Sequence, residues 1–278
     1  MSKRVIFLDI DGTLVHKHGE ISLKVKEAIN KVRENGHYVF LCTGRNRLGV
    51  SQLMDLGCFD GTVCSAGGYI EINGEKIYEA GMSDEEVNLT REVFDKYHIL
   101  YNMEANFGAY QSREMTRRMM SIFGGVHNSE IDRLEEEFAK DLGIHSFEDY
   151  LDNPQKIQTI VYIADNKEDV LKAREELSDK LHFLIYSNIN DTIVNGELMK
   201  KGVNKGTGII KVLEKLNISV DDSIGFGDSM NDLEMIETCG YSVVMDNGDE
   251  KLKRIADYVC ESVENDGVYH ELKRLELF

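Results

Sequence analysis

Two aspartates separated by one residue, Asp9 and Asp11, follow a short apolar stretch near the start of the chain. Alternate side chains of an extended chain point to the same side, so the two carboxylates can share one pocket. Crowded carboxylates repel each other unless a cation or a proton lies between them, and the following Gly12 allows a sharp turn. The pattern predicts a cation or acid–base site, although a solvated turn or a helix cap would show the same residues.

A second short apolar stretch ends at Thr43, which is followed by Gly44 and Arg45. A threonine hydroxyl and the backbone N–H groups after it are suited to the oxygens of a phosphate or sulfate. The same segment is also typical of an ordinary loop. Arg45 is long enough either to reach a bound substrate or to pair with acids on the surface, and the sequence leaves both open.

A lysine, Lys205, stands at the start of a predicted helix in the second half of the chain. The helix macrodipole disfavours a positive charge at this end, so the placement of Lys205 indicates an anion nearby. The alternative is a solvated lysine on the surface.

A second acidic segment, Gly227-Asp-Ser-Met-Asn-Asp232, follows a predicted strand and opens another helix. Asp228, at the start of this loop, is placed to reach a metal ion. Asn231 and Asp232 lie one turn further on, where they can bond a phosphate and Lys205. Carboxylate oxygens with few nitrogen or sulfur ligands nearby favour Mg²⁺ over Zn²⁺.

Each of these four segments falls at the end of a strand or the start of a helix in a regular alternation of predicted elements. We predict strands over residues 3–8, 37–42, 62–65 and 223–226, and helices over residues 21–35 and 205–216. Strands and helices that alternate with short links are typical of a doubly wound, mostly parallel sheet. Ligands bind at the carboxyl ends of the strands in such sheets, where the four segments would lie.

The middle of the chain departs from this alternation. It contains helical patterns and short strands in mixed order, with helices predicted over residues 83–98, 113–123 and 130–140 and strands over residues 157–163, 183–186 and 192–194. We therefore predict an α/β fold with two domains. Residues 1–82 and 190–278 form a doubly wound, Rossmann-like core, and residues 83–189 form an inserted α+β domain.

Composition and charge exclude several classes of protein. The chain has 278 residues, of which 42% are apolar, and a net charge of −18 at neutral pH. The apolar content excludes a disordered or fibrous chain, and the negative charge makes nucleic acid and anionic membranes poor partners. The sequence contains no apolar run long enough for a membrane span or a secretory signal, and its five cysteines are scattered. We predict a cytoplasmic protein with reduced thiols.

Taken together, the four segments resemble the haloacid dehalogenase (HAD) superfamily of aspartyl-phosphate phosphohydrolases, and more narrowly its Cof-type sugar-phosphatase-like group. The motifs are Asp9-Ile-Asp-Gly-Thr13, Leu41-Cys-Thr-Gly-Arg45, Asn204-Lys-Gly206 and Gly227-Asp-Ser-Met-Asn-Asp232. That group places a large α/β cap between its second and third motifs, where this chain has its inserted domain. One departure is Ser65-Ala-Gly67, where the group often has Asn-Gly-Ala.

The resemblance implies a phosphatase that acts on small phosphorylated metabolites. Asp9 would attack phosphorus and form an aspartyl-phosphate, and Asp11 would protonate the leaving alcohol and then activate water. Mg²⁺ would be bound by Asp9, Asp228 and the backbone carbonyl of Asp11. The phosphate would be bound by Lys205 and Thr43, together with Gly44 and Asn231, and Asp232 would support the site from behind.

The resemblance also implies that the inserted domain is a cap that contacts the leaving group. Its densest positive cluster is Arg113, Arg117 and Arg118, of which Arg113 and Arg117 share a helix face. This cluster would bind a second phosphate or carboxylate of the substrate, but a solvated helix face is the favoured interpretation. Arg45 is the remaining candidate for substrate contact. We expect a monomer or a small homo-oligomer.

Three other functions compete with this one. A phospho-acceptor signalling module of the receiver type uses similar residues, but it needs only ~120 residues and lacks an acidic segment after the lysine. A phosphomutase of the same superfamily would transfer the phosphoryl group instead of giving it to water, and the sequence does not exclude it. A silent sugar-phosphate sensor would have no need of an acid–base residue such as Asp11. The identity of the substrate stays open, with hexose phosphates, flavin mononucleotide and pyridoxal phosphate among the candidates.

Overall fold

Two sheets with separate hydrophobic cores organise the chain, in a computed structural model that describes residues 3–16, 20–124, 143–185 and 193–278. The first unit comprises Met1–Arg45, Val50–Glu79 and Val203–Phe278, and the second comprises Asn46–Gly49 and Ala80–Gly202. The helix that we predict over residues 130–140 lies outside the described residues, as do the ends of two predicted strands at residues 186 and 192.

The described residues form fourteen strands and ten α-helices. The strands are β1 (Val5–Leu8), β2 (Tyr38–Cys42), β3 (Gly61–Cys64), β4 (Tyr69–Ile72), β5 (Glu75–Glu79), β6 (Leu100–Ala105), β7 (Gly108–Gln111), β8 (Ile144–His145), β9 (Thr159–Ala164), β10 (Leu181–Ile185), β11 (Val194–Lys200), β12 (Ser223–Gly227), β13 (Tyr241–Met245) and β14 (Tyr258–Cys260). The helices are α1 (Leu23–Glu34), α2 (Ser51–Met54), α3 (Asp84–Lys96), α4 (Arg113–Met119), α5 (Phe147–Asp152), α6 (Lys167–Leu177), α7 (Lys205–Leu216), α8 (Leu233–Thr238), α9 (Glu250–Lys253) and α10 (Gly267–Arg274).

The sheet of the first unit has the strand order β14-β13-β12-β1-β2-β3-β4-β5. Strands β14 to β3 are parallel, and β4 and β5 add an antiparallel edge. The chain starts in the middle of the sheet, at β1, and builds outward first on one side and then on the other. The predicted α/β fold with a mostly parallel, doubly wound sheet is confirmed.

The central strand β1 is buried on both faces, which explains its uninterrupted apolar sequence. Ile6 and Leu8 pack into the core that contains α1 and α10, whereas Val5 and Phe7 pack into the core on the other face with α7. Alternation along one strand therefore supplies both cores and leaves the next residue, Asp9, at the carboxyl end of the sheet.

The sheet of the second unit has the order β10-β11-β9-β6-β7-β8 and is antiparallel except for the pair β7–β8. One of its faces packs on α3 and α6 through residues such as Phe94, Tyr162 and Val170. We predict from the sequence that residues from 190 onward belong to the core. In the structure, however, β11 pairs with both β10 and β9, and the first unit resumes at Val203.

None of the helices within the described ranges has both the length and the apolar character that crossing a bilayer requires.

Candidate active site

Asp9 is the first residue after β1, and its backbone N–H donates to the carbonyl of Phe226 on the neighbouring strand β12, at 3.0 Å. Its side chain is almost fully buried, and Oδ1 accepts a hydrogen bond from Nζ of Lys205 at 2.7 Å. β1 lies where the order of the strands reverses, the position at which open α/β sheets bind ligands. The sheet therefore places the Asp9 carboxylate at the edge where sheets of this kind bind ligands.

Lys205 begins α7, directly after Asn204, which caps the helix by accepting a hydrogen bond from the N–H of Thr207. The lysine side chain is only 1% exposed, and its Nζ donates to Oδ1 of both Asp9 and Asp232. Burial alone would lower the pKa of Lys205, but the two carboxylates outweigh burial and raise its pKa above the usual value. The anion predicted beside Lys205 is therefore supplied by the protein itself, as the carboxylates of Asp9 and Asp232.

Asp232 is completely buried and fixes the loop that precedes it. Its Oδ2 accepts hydrogen bonds from the backbone N–H groups of Asp228, at 2.9 Å, and Ser229, at 3.1 Å. Because its other oxygen contacts Lys205, one side chain positions both the acidic loop and the lysine. The expected contact between Asp232 and Lys205 is present.

Asp228 is half-buried at the start of this loop, and its Oδ1 accepts a hydrogen bond from the hydroxyl of Thr13 at 3.2 Å. The loop after β1 approaches it very closely at Gly12. A Cβ at position 12 would lie 2.2 Å from Oδ2 of Asp228, and Gly12 has a φ of +88°. Only glycine fits this approach without moving the carboxylate.

Replacing Gly12 with alanine should displace Asp228 and abolish most of the phosphatase activity that the family resemblance implies. Gly36→Ala is the matched control, because Gly36 has a φ of +87° but no atom within 4 Å of an added Cβ. Both variants carry the left-handed backbone penalty of about 1 kcal/mol, so both should lose a few degrees of melting temperature. Assays of phosphate release should detect a loss of activity in Gly12→Ala alone, and equal activity in the two variants would contradict this role of the close approach.

The carboxylates of Asp9, Asp228 and Asp232 offer one oxygen each within 4.8 Å of one another. Burial and the charge of Asp232 raise the pKa of Asp9 to about 7 despite Lys205, and the same two causes raise the pKa of Asp228 to about 6. The positive charge of Lys205 only partly offsets these two causes, so Asp9 and Asp228 take up protons at a higher pH than an exposed aspartate does. A divalent cation with oxygen ligands fits this set, and Asp9 and Asp228 are the residues that could hold it, since Asp232 is engaged by Lys205 and backbone N–H groups.

Thr43 follows β2, beside Asp9 in the order of the strands, and is 2% exposed. Its hydroxyl oxygen accepts a hydrogen bond from the backbone N–H of Arg45 at 3.1 Å, so its own proton is available for donation. A Cβ at Gly44 would meet no atom within 4 Å, which leaves the backbone there open to a ligand. The geometry is compatible with an anion site.

Asp11 and Arg45 form a two-point ion pair, in which Nε donates to Oδ2 at 2.9 Å and Nη2 donates to Oδ1 at 2.5 Å. The Asp11 side chain is 64% exposed, so it does not share the buried pocket of Asp9 as the alternation of side chains predicts. The chain turns at Gly12 and is no longer extended there, so the alternation of side chains does not continue. The long side chain of Arg45 also reaches Asp11 and holds it. Of the two roles open to Arg45, the structure favours pairing with an acid.

Residues 6–272 match the family described as haloacid dehalogenase-like hydrolase. The chain belongs to the haloacid dehalogenase-like hydrolases. The predicted family and the prediction of a hydrolytic enzyme are confirmed.

Relatives of this HAD-like hydrolase match it over nearly its whole length. The 5-amino-6-(5-phospho-D-ribitylamino)uracil phosphatase YwtE of Bacillus subtilis is 25% identical over 98% of this chain and 98% of its own. Phosphatase YwpJ of the same organism is 24% identical over 98% of this chain and 99% of its own. Among solved structures, the HAD subclass IIB sugar phosphatase BT4131 is 22% identical, with a TM-score of 0.76 over 99% of this chain and 100% of its own. At that identity the structure shows a common fold.

Two residues of the HAD-like hydrolase that support the site escape our sequence analysis. Nδ2 of Asn247 donates to the carbonyl of Gly12 at 2.9 Å, and a Cβ at Gly248 would lie 2.7 Å from the backbone oxygen of Asp228. Both follow β13, whose carboxyl end lies at the same edge of the sheet. The sequence feature that indicates these two residues is an Asn-Gly pair just after a short apolar stretch.

The remaining predicted site residues lie outside the buried cluster of the HAD-like hydrolase. Asn231 is exposed on the acidic loop, where its Oδ1 accepts from the hydroxyl of Ser229 at 2.8 Å. Arg113 and Arg117 are exposed on α4 in the second unit, and Arg118 pairs there with Asp165. Phosphate contact by Asn231 and substrate contact by the two exposed arginines stay predictions.

Proposed function

We propose that the protein is a Mg²⁺-dependent phosphatase that hydrolyses small phosphorylated metabolites, such as sugar phosphates, through an aspartyl-phosphate on Asp9. The observation that carries the proposal is the buried set of Asp9, Lys205 and Asp232 beside Asp228, at the carboxyl ends of the adjacent strands β1 and β12. The two Bacillus subtilis relatives, YwtE and YwpJ, are both phosphatases, which supports the phosphatase class.

Asp9 is assigned the attack on phosphorus. Lys205 fixes Oδ1 of the carboxylate, and Oδ2 forms the new bond to phosphorus while the ester bond to the leaving oxygen breaks. Buried and held on one side, the carboxylate loses little freedom when it reacts, which lowers the entropic part of the barrier.

The residues that would hold Mg²⁺ are Asp9 and Asp228, together with the backbone carbonyl of Asp11. When bound, the cation supplies positive charge that offsets the repulsion between the carboxylate and the phosphate dianion. Lys205 adds a fixed positive charge beside it, and the Thr43 hydroxyl and the N–H of Gly44 donate to phosphate oxygens. Asn231 is the fourth candidate for phosphate binding.

Asp11 is assigned the transfer of protons. It takes up a proton when it leaves its ion pair with Arg45, gives that proton to the departing alcohol, and then accepts one from the water that hydrolyses the aspartyl-phosphate. The ion pair with Arg45 holds the Asp11 side chain in one orientation before the substrate binds, and Asp11 must leave this pair to reach the ester oxygen. Arg45 stays the candidate for substrate contact beside Asp11.

The first unit is proposed as the catalytic core and the second as the cap that selects the leaving group. A family match over residues 6–272 does not favour a receiver module of ~120 residues. A phosphomutase differs from a phosphatase in the acceptor of the phosphoryl group, so release of inorganic phosphate into water separates the two. A cytoplasmic location and a monomer or small homo-oligomer stay predictions.

The test is a phosphate-release screen over a panel of phosphorylated metabolites in the presence of Mg²⁺, with Asp9→Asn as the blank. The proposal expects release from at least one small monoester above the blank. Turnover that is equal in the blank, or phosphoryl transfer only to a second sugar, would overturn it.

Added Mg²⁺ should stabilise the protein more at about pH 8 than at about pH 5. The pKa values of Asp9 and Asp228, about 7 and 6, lie above the usual 3.8 for aspartate. Between these pH values the folded protein binds protons at Asp9 and Asp228 that the unfolded chain does not bind. The free energy of unfolding therefore falls as pH rises from about 4 to 7. Mg²⁺ competes with those protons for the same carboxylates, so it binds more tightly at a pH where the protons have dissociated.

Thermal unfolding at both pH values, with and without Mg²⁺, measures this difference. We expect a rise in melting temperature of several degrees at the higher pH, because ligand at 100 times its Kd adds about 2.7 kcal/mol. Asp228→Asn should lose most of the rise. A rise of equal size at both pH values, or one that Asp228→Asn retains, would contradict binding by these carboxylates.

A further inference from the structure

The loop that follows β3 has an unusual backbone conformation. Ser65 and Ala66, two consecutive residues with a Cβ, each have a φ of +48°, and Gly67 continues the loop with a φ of +97°. Asparagine or glycine would adopt the left-handed region more readily than serine and alanine do. A residue with a Cβ stays in this region only where the surrounding structure requires it, so the loop calls for an explanation.

The side chain of Ser65 does not explain the conformation. Ser65 is 3% exposed, and its hydroxyl has no hydrogen-bond partner among the residues that the structure describes. The backbone of the loop does explain it. The N–H of Ser65 donates to the carbonyl of Arg45 at 2.8 Å, and the N–H of Ala66 donates to the carbonyl of Thr43 at 3.0 Å. The left-handed turn therefore directs two successive N–H groups at the segment that follows β2.

These contacts fix the backbone of Thr43. Its carbonyl accepts from Ala66, and its own N–H donates to the carbonyl of Val63 on β3 at 2.9 Å. Both polar backbone groups of Thr43 are thus bonded to β3 or to the loop after it. The position of the Thr43 hydroxyl depends on this backbone.

The same loop also contacts the N-terminus of α7. A Cβ at Gly67 would lie 2.1 Å from the carbonyl oxygen of Asn204, and a Cβ at Gly208 would lie 3.0 Å from Cα of Gly67. The Asn204 carbonyl accepts from the N–H of Gly208 at 3.1 Å, which closes the first turn of the helix. The first turn of α7 therefore packs directly on the backbone of the loop, and Lys205 stands in that turn.

We infer that the loop Ser65–Gly67 positions the two phosphate-binding side chains, Thr43 and Lys205, relative to each other, and thereby sets the affinity of the site for a phosphate group. The loop donates to the backbone of Thr43 and packs against the helix turn that carries Lys205. Its residues act through these two side chains and are positioning residues. The inference rests on the proposed function, which assigns both side chains to phosphate.

The test is calorimetric titration of the protein with inorganic phosphate in the presence of Mg²⁺. Gly67→Ala places a Cβ against the Asn204 carbonyl, and we expect it to raise Kd for phosphate about 10-fold, which corresponds to about 1.4 kcal/mol. Gly202→Ala is the matched control, because Gly202 precedes α7, has a φ of +77° and has no atom within 4 Å of an added Cβ. The control carries the same kind of backbone penalty and should keep the wild-type Kd.

A second pair of variants tests the backbone conformation itself. Ala66→Val places a β-branched residue in the left-handed region, which such residues avoid, whereas glycine adopts this region freely. We expect Ala66→Val to weaken phosphate binding about 10-fold, and Ala66→Gly to bind phosphate within about 2-fold of the wild type. Equal Kd values in these two variants would contradict the inference.

A purely structural role of the loop predicts a different result. Gly67→Ala and Ala66→Val would then lower the melting temperature, but the folded protein would bind phosphate with the wild-type Kd, which would overturn the inference. Wild-type protein that does not bind inorganic phosphate would also overturn it. Because binding is measured without turnover, a protein that binds phosphate but hydrolyses no monoester would overturn the proposed function and still leave this comparison decisive.

Discussion

Asp9→Asn should lower kcat for phosphate release by at least about 10⁴-fold while changing the melting temperature by only a few degrees. Asparagine keeps the size of the side chain but its amide does not form the bond to phosphorus that the mechanism requires. The pKa of Asp9 lies at about 7, so the native side chain is already partly neutral near neutral pH. A neutral replacement therefore alters the charge of the buried cluster little, and Lys205 keeps its contact with Asp232.

Steady-state turnover of p-nitrophenyl phosphate and thermal unfolding measure the two parts of this prediction. Asp179→Asn, at an exposed position of the second unit, is the control and should change neither quantity. If Asp9→Asn retained more than a few per cent of wild-type turnover, the attack would have to be assigned to another group. A collapse of the melting temperature would instead give Asp9 a structural role.

Lys205→Met should destabilise the protein by about 3–5 kcal/mol at neutral pH. Methionine occupies a similar volume, but its loss of charge leaves the buried Asp9 and Asp232 without their shared cation. Removing one partner of a buried ion pair costs more than the pair contributed, because the remaining charges stay desolvated. Activity should fall as well, since Lys205 fixes the attacking carboxylate.

The loss of stability should depend on pH. Without Lys205 the pKa of Asp9 rises further, so the folded variant binds more protons than the unfolded chain over a wider range above pH 4. The variant should therefore be least stable at high pH and recover as pH falls and Asp9 becomes protonated. Urea unfolding at about pH 5 and about pH 8 checks the sign. Lys215→Met, exposed in the last turn of the same helix, is the control, and equal losses in the two variants would contradict a buried network.

The central part of the site could be predicted because it depends on regular geometry. Asp9, Thr43 and Asp228 each directly follow a short buried strand, and the carboxyl ends of parallel strands meet at one edge. Lys205 could be placed because a lysine at a helix N-terminus needs a nearby anion. The contact between Asp232 and Lys205 was predicted as well. The second partner of Lys205, Asp9, was not, because that contact joins residues far apart in the sequence.

Features that depend on turns and on long side chains could not be predicted in the same way. Strict alternation would place Asp11 beside Asp9, but the turn at Gly12 and the reach of Arg45 decide its orientation. β11 was not recognised as a long strand of the second sheet because Gly196 and Glu197 interrupt its apolar pattern. Gly196 is required there, since a Cβ would lie 2.0 Å from the carbonyl oxygen of Leu184. Both outcomes depend on neighbours that are distant in the sequence.

Mass spectrometry of the peptide that contains Asp9 tests the central claim most directly, after Asp11→Asn is mixed with p-nitrophenyl phosphate and quenched. An aryl leaving group departs without a proton donor, so Asp9 should still attack, but the asparagine does not activate water for the second step. We expect a burst of nitrophenol, turnover slowed by about 10²–10⁴-fold, and one phosphoryl group on Asp9. A burst without phosphate on Asp9, or a phosphoryl group on another residue, would contradict the account.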